Sequence, residues 1–100
     1  MSLPLIFKTT ARLELEEAVA WYEAQRPGLG REFATEIKLA LDRAQASPEM
    51  FRKVRGRARK IRLRRFDKYS IYFAMKEDAF AVLSVFHAAR NPAELQRRLK

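Results

Sequence analysis

KIRLRRFDKYSIYFAMKEDAFAVLSVF, residues 60–86, is the stretch that decides the fold. In Lys60-Ile61-Arg62-Leu63-Arg64 the apolar residues alternate with cations, so a strand here buries Ile61 and Leu63 and turns its charges outward. Asp67-Lys68 reads as a turn. Tyr69, Ile71 and Phe73 then alternate with Ser70, Tyr72 and Ala74, and Glu77-Asp78 reverses the chain into Phe80 to Phe86. Three strands joined by short turns form an antiparallel meander. The last, FAVLSVF, is apolar on both faces, which predicts a central strand covered by helices on one side and by some other part of the chain, its end being one candidate, on the other.

Upstream of residue 50 the period is that of helices. Leu5-Ile6-Phe7 is a short first strand. Thr10 reads as the N-cap of a first helix, with Glu14, Glu16 and Glu17 early enough to suit the positive end of its dipole. Ala11, Leu15, Ala18 and Tyr22 share one face of that helix, which runs to about Gln25, and Val19 and Trp21 flank the stripe. Pro27-Gly28-Leu29-Gly30 breaks it, because proline ends a helix and glycine tolerates positive φ. Phe33, Ile37, Leu41 and Ala44 form the stripe of a second helix that Ser47-Pro48 stops. Two amphipathic helices with a four-residue link pack as a hairpin. Downstream, Asn91-Pro92 starts a short C-terminal helix over Ala93 to Lys100. The expected fold is therefore α+β, in the order β-α-α-β-β-β, with a helical hairpin on a small, mainly antiparallel sheet.

One hundred residues, 48% of them apolar, suit one modest core, so residues 1–100 read as one domain. The chain has no cysteine and one histidine, which argues against thiolate nucleophiles, sulfur-bound zinc and histidine-rich metal sites. No metal or cofactor is expected. No run approaches the roughly 18 apolar residues of a membrane span, and MSLPLIFKTT lacks a basic start, so the expected location is the cytoplasm.

Charge is distributed unevenly. Residues 1–50 hold six Lys/Arg against eight Asp/Glu and residues 51–100 fifteen against four, for a net +9. From Arg52 to Lys68 ten cations face Asp67 alone, a density that makes a strongly positive surface and predicts an acidic partner. Arg57, Arg59, Lys60, Arg62 and Arg64 are the candidates for binding a target or a nucleic acid.

The segments EAVAWYE (17–23), Gly28-Leu29-Gly30-Arg31-Glu32-Phe33, Ser47-Pro48, Val54-Arg55 leading into KIRLRRF, and Val85-Phe86-His87-Ala88-Ala89-Arg90-Asn91-Pro92 follow one another in order. Together, over nearly the whole chain, they resemble the RelE/ParE toxin superfamily, and the WYE helix, the GLGREF link and the terminal HAARNP look more like its ParE branch. The resemblance implies a type II toxin–antitoxin, plasmid-stabilisation-like system. The toxin would pair with a cognate antitoxin that has an acidic, disordered tail. It implies DNA gyrase as target for a ParE-like protein that does no chemistry. For a RelE-like endoribonuclease the target would be the ribosome and its mRNA.

The ribonuclease alternative needs a base, an acid and cations for the developing phosphorane charge. His87 would carry the proton, and Arg90 and Arg65 the stabilisation. Against this, RelE-like enzymes generally present a tyrosine, histidine or glutamate near the groove, and Asn91 to Gln96 contains no aromatic residue. The plainer readings stand beside these. His87 is a hydrogen-bonded residue of the sheet rim, Trp21 and Tyr22 pack against neighbouring elements, and Phe33, Phe73, Phe80 and Phe86 are core. Arg64 and Arg65, adjacent on one strand, would point to opposite faces. An inward Arg65 then needs Glu17 or Glu23, or a groove shared with Arg90. A plain basic nucleic-acid-binding domain is the third reading.

Overall fold

Strand β1 (Leu5–Phe7) passes straight into helix α1 (Thr9–Gln25). The computed structural model describes residues 3–99, so Lys100, the expected last helical residue, lies outside the described residues, as do Met1 and Ser2. The Lys8 N–H donates to the Val82 carbonyl at 2.9 Å, and this ladder bond holds Lys8 extended as the cap residue of α1. Thr10 is therefore inside the helix rather than its N-cap, and no side chain caps that end.

Helix α2 (Leu29–Ala46) starts earlier than the link reading allows. Only Arg26–Gly28 separate the helices. Gly28 takes φ +89°, where a side chain is strained. Gly30 lies inside α2, and a Cβ there would stand 2.6 Å from the Val19 carbonyl oxygen, so the close crossing of α1 and α2 requires glycine. Glu23 completes the corner by accepting the Gly28 and Gly30 N–H groups at 2.9 and 3.0 Å, so a side chain of α1 satisfies the cap residue and one free donor of α2.

After a 3₁₀ turn (Pro48–Met50) come β2 (Lys53–Arg55), β3 (Ala58–Arg62), β4 (Tyr69–Met75) and β5 (Phe80–His87), then helix α3 (Pro92–Leu99). The sheet is five-stranded and mixed, in the order β1-β5-β4-β3-β2, with β1 parallel to β5 and the other pairs antiparallel. Strand β2 was not foreseen, because Lys53-Val54-Arg55 is exposed on both faces and carries no alternation. Strand β3 ends at Arg62, so Arg64 and Arg65 are not strand residues and the opposite-face argument does not apply to them. Leu63 and Phe66, both buried, fold back instead, and Phe66 meets Tyr22 and Phe33 edge-on at 4.9 and 5.1 Å.

The α1–α2 hairpin covers one face of the sheet around Phe33, Ile37, Leu41, Ile61, Ile71, Phe73, Phe80, Val82 and Val85. The other face carries Tyr72, Ala74, Ala81, Leu83 and Phe86 under Leu95 and Leu99 of α3, so the end of the chain does cover the second side of β5. All four predicted core phenylalanines are buried, each contributing about 1.5–3 kcal/mol. Pairing with β4 slips between Tyr72 and Phe73, leaving Leu83 without a partner. Val82 and Val85 consequently face the same core, and Ser84 is turned toward α1.

Candidate functional site

Glu14 is where α1 meets the exit of β5. Position 14 falls within the Ala11–Ala18 stripe, so the helix that buries its apolar face must bury this carboxylate as well. Its Oε1 accepts Ser84 Oγ at 2.8 Å and the Val85 N–H at 3.0 Å. Its Oε2 accepts Arg90 at 2.6 Å and is bonded also by Arg98. Arg90 reaches on to Glu94 at 2.7 Å, and Arg90 and Arg98 both lie over the Phe86 ring. Two carboxylates and two guanidiniums thus tie α1, β5 and α3 together. Sequence reading gave Glu14 a dipole role and left Arg98 unremarked. An acid inside an apolar stripe was the available signal.

The electrostatics of this corner are internally balanced. Burial acts to lower the Arg90 pKa, but its hydrogen bonds to Glu94 and Glu14 raise it above the ordinary value. The same hydrogen bond from Arg90 holds Glu94 below the usual carboxylate range. Arg90 is therefore committed to carboxylates of its own chain.

His87 closes β5 beside this cluster. Its Nδ1 accepts the Ala89 N–H at 2.9 Å, and its ring stands edge-on to Tyr69 at 4.9 Å. Burial raises the Tyr69 pKa, so its phenol remains protonated at neutral pH. A groove of about 330 Å³ runs over Leu13, Glu17, Trp21, Tyr69, His87 and Arg98. Trp21 is 58% exposed at its edge, contrary to the packing expected of it, whereas Tyr22 does pack against Phe33 and Phe66. The α1 helix turns one ring inward and the next outward, because consecutive positions are about 100° apart.

Arg65 is not part of that corner. It pairs with Glu32 of α2 at 2.5 Å, and its N–H donates to Glu36 at 3.3 Å, so neither Glu17, Glu23 nor Arg90 is its partner. The Arg65 hydrogen bond is also what lowers the Glu32 pKa. Arg64 and Arg65 together border a second groove of about 710 Å³ along α2, where Leu39 is exposed. The three candidates for phosphorane chemistry are thus divided, with His87 and Arg90 at one site and Arg65 at another.

The remaining basic candidates belong to the β2–β3 hairpin. Arg59 is structural, donating to the Phe51 carbonyl at 2.7 Å. Arg57 and Arg62 are exposed, and Lys60 is half-buried with its Nζ 5.9 Å from the centre of the Tyr72 ring. Lys60 pairs with Tyr72 and Arg62 with Ser70 across β4, which puts both on the α3 side of the sheet. Arg52, not singled out beforehand, joins them: its carbonyl accepts the Lys60 N–H at 3.1 Å, and its charge acts on both Lys60 and Tyr72. Burial lowers the Lys60 pKa, and the nearby charges of Arg62 and Arg52 add to that effect.

Among the described residues, no group of three or more His, Asp or Glu converges as a metal site, and no helix is long and apolar enough to cross a membrane.

Comparison with known proteins identifies the pattern. A family model described as "ParE toxin of type II toxin-antitoxin system, parDE" matches residues 5–92. A solved structure titled "Chromosomal ParDE TA system from P. aeruginosa" contains a similar chain, with a TM-score of 0.74 at 16% identity. The match covers 86% of this chain and 96% of that one. At that identity the likeness concerns the fold. No curated protein matches the sequence.

Proposed function

The chain belongs to the ParE toxin family, and on that premise we propose that residues 1–100 are one toxin domain that inhibits DNA gyrase without chemistry and is neutralised by a cognate antitoxin. The observation that carries the mechanism is the commitment of Arg90 to Glu14 and Glu94. A ribonuclease would need that guanidinium free to meet a developing phosphorane, with a base and an acid beside it. Here it holds two helices to the sheet, and Arg65 stands on another element. A protein ligand needs no such constellation.

The antitoxin is expected to carry an acidic tail, disordered when free, that joins the toxin in a hetero-oligomer in the cytoplasm. A net charge of +9 favours such a tail, and exposed Leu13 and Trp21 on α1 offer it apolar contacts. The test is plasmid supercoiling by purified gyrase with rising amounts of the protein, in parallel with mRNA on translating ribosomes. Trapped, cleaved plasmid with intact mRNA is the expected result. Cut mRNA with normal supercoiling would overturn the proposal and reinstate His87 and Arg90 as candidates for chemistry.

A further inference from the structure

We propose that the sheet face beside α3 that carries Arg52, Lys60 and Arg62 binds backbone phosphates of duplex DNA, so that this toxin grips the DNA of its target complex directly. The inference deepens the gyrase reading and takes its biological setting from it. Its binding test is independent of gyrase.

The geometry begins with the hairpin. Lys60 and Arg62 sit two residues apart on β3, about 6.6 Å along the strand, and Arg52 is bonded to Lys60 from the neighbouring strand side about 4.8 Å away. The three cations therefore occupy a patch small enough for successive phosphates of one DNA strand. Arg57, at the hairpin turn, is exposed as well.

Among the described residues these charges have no ion-pair partner. The ion pairs found among the described residues engage Arg26, Lys38, Arg65, Arg90 and Arg98, and none reaches Arg52, Arg57, Lys60 or Arg62. The lowered Lys60 pKa reports the same crowding, since Arg62 and Arg52 repel its ammonium in addition to the cost of burial. A phosphate would relieve that repulsion.

The chemistry of the face selects the ligand. The aromatic ring beneath the cations, Tyr72, is buried, so no base can stack on it, and a single strand would lack the aromatic platform it uses. An acidic peptide that folds on binding needs apolar surface to offset its ordering. Of the six large exposed apolar side chains among the described residues, Ile6, Leu13, Trp21 and Leu39 lie on other elements, and only Met50 and Val54 flank Arg52, too little apolar surface to order such a segment. Closely set cations without stacking rings match the phosphate backbone of a duplex.

The experiment measures binding of the full chain to a fluorescent duplex of about 20 base pairs over a range of NaCl concentrations. The variant carries Arg52→Gln, Lys60→Gln and Arg62→Gln together. A control carries Arg12→Gln, Arg31→Gln and Arg43→Gln, which removes equal charge from the helical hairpin. Each phosphate contact contributes about 0.9 to the slope of log K against log salt, so losing three lowers the slope by about 2.7 and weakens binding at 0.1 M salt by on the order of 10²-fold. The control is expected to stay within about one unit of the wild-type slope. Arg62→Gln alone, at an exposed position, removes about one contact and stands in if the triple variant unfolds.

Equal losses in variant and control would overturn the proposal, since net charge alone would then explain binding. So would unchanged DNA binding with weakened antitoxin affinity, which would assign the face to an acidic protein segment. Triad-dependent duplex binding by a protein that leaves supercoiling untouched would refute the gyrase reading and sustain this one. Gyrase trapping that is indifferent to the triad, with duplex binding equally indifferent, would do the reverse.

Discussion

Replacing Glu14 with alanine removes the group on which three elements converge. Its side chain is 7% exposed, and it accepts from Ser84, Val85, Arg90 and Arg98. Deleting one partner of a buried ion pair costs about 3–5 kcal/mol. The upper end is not reached here, because the Arg90 and Arg98 side chains are 36% and 21% exposed and Arg90 keeps Glu94. The orphaned Ser84 hydroxyl and Val85 N–H add about 1 kcal/mol each, unless water enters the gap. With water in the gap the net loss is about 3 kcal/mol, which for a chain of this size lowers Tm by about 12–24 °C. Thermal and urea unfolding by circular dichroism measure it. Glu14→Gln keeps the acceptor for Ser84 and Val85 but not the charge, and is expected to cost about half as much. A cycle with Arg98→Met should show coupling of at least about 1 kcal/mol. A Tm within about 4 °C of wild type for Glu14→Ala would refute the claim that this carboxylate anchors α1 and α3 to β5.

Three further outcomes follow from the geometry. Gly30→Ala drives a methyl group against the Val19 carbonyl and should cost about 2 kcal/mol, more than Gly28→Ala, which meets open space and pays only about 1 kcal/mol of φ strain; urea midpoints in the opposite order would contradict the helix crossing described. Tyr22→Ala, which empties a cluster of four aromatic rings, should destabilise by about 3 kcal/mol, whereas Trp21→Ala should change stability by less than about 1 kcal/mol, and comparable losses would mean that Trp21 is packed. Because the hydrogen bond from Arg90 lowers the Glu94 pKa in the folded state, its stabilising effect is complete above the unfolded carboxylate value of about 4.3 and fades as pH falls through the lower folded value; Glu94→Gln should therefore be less stable than wild type at neutral pH and converge with it in acid, and a pH-independent difference would remove the charge from the explanation.

Much of the architecture was legible in local periodicity. The α1 and α2 stripes, the alternation in β3 and β4 and the two-sided apolar run of β5 each record which faces a segment must hide. The C-terminal helix was legible from Asn91-Pro92, and the Asn91 Oδ1 does accept the Ala93 N–H at 2.9 Å. What escaped were features without a period. Strand β2 is exposed throughout and exists because β3 pairs with it, and Arg64 and Arg65 left the strand because Leu63 and Phe66 fold back onto the aromatic core. For the candidate site, His87 was correctly placed at the strand exit, while Arg90 and Arg65, grouped by charge, proved to belong to different carboxylates.

The sequence by itself determined the order of elements apart from β2, which faces are apolar and where the positive charge is concentrated, because each follows from residues within a few positions of one another. Only the tertiary structure decided which cations are occupied and which are free. Arg90 and Arg98 find Glu14 across separations of 76 and 84 residues, while Arg52, Lys60 and Arg62, packed side by side on the sheet, find no carboxylate among the described residues. Coulomb attraction depends on distance in space, and a list of charges along a chain holds no such distances until the strands have paired and the helices have docked.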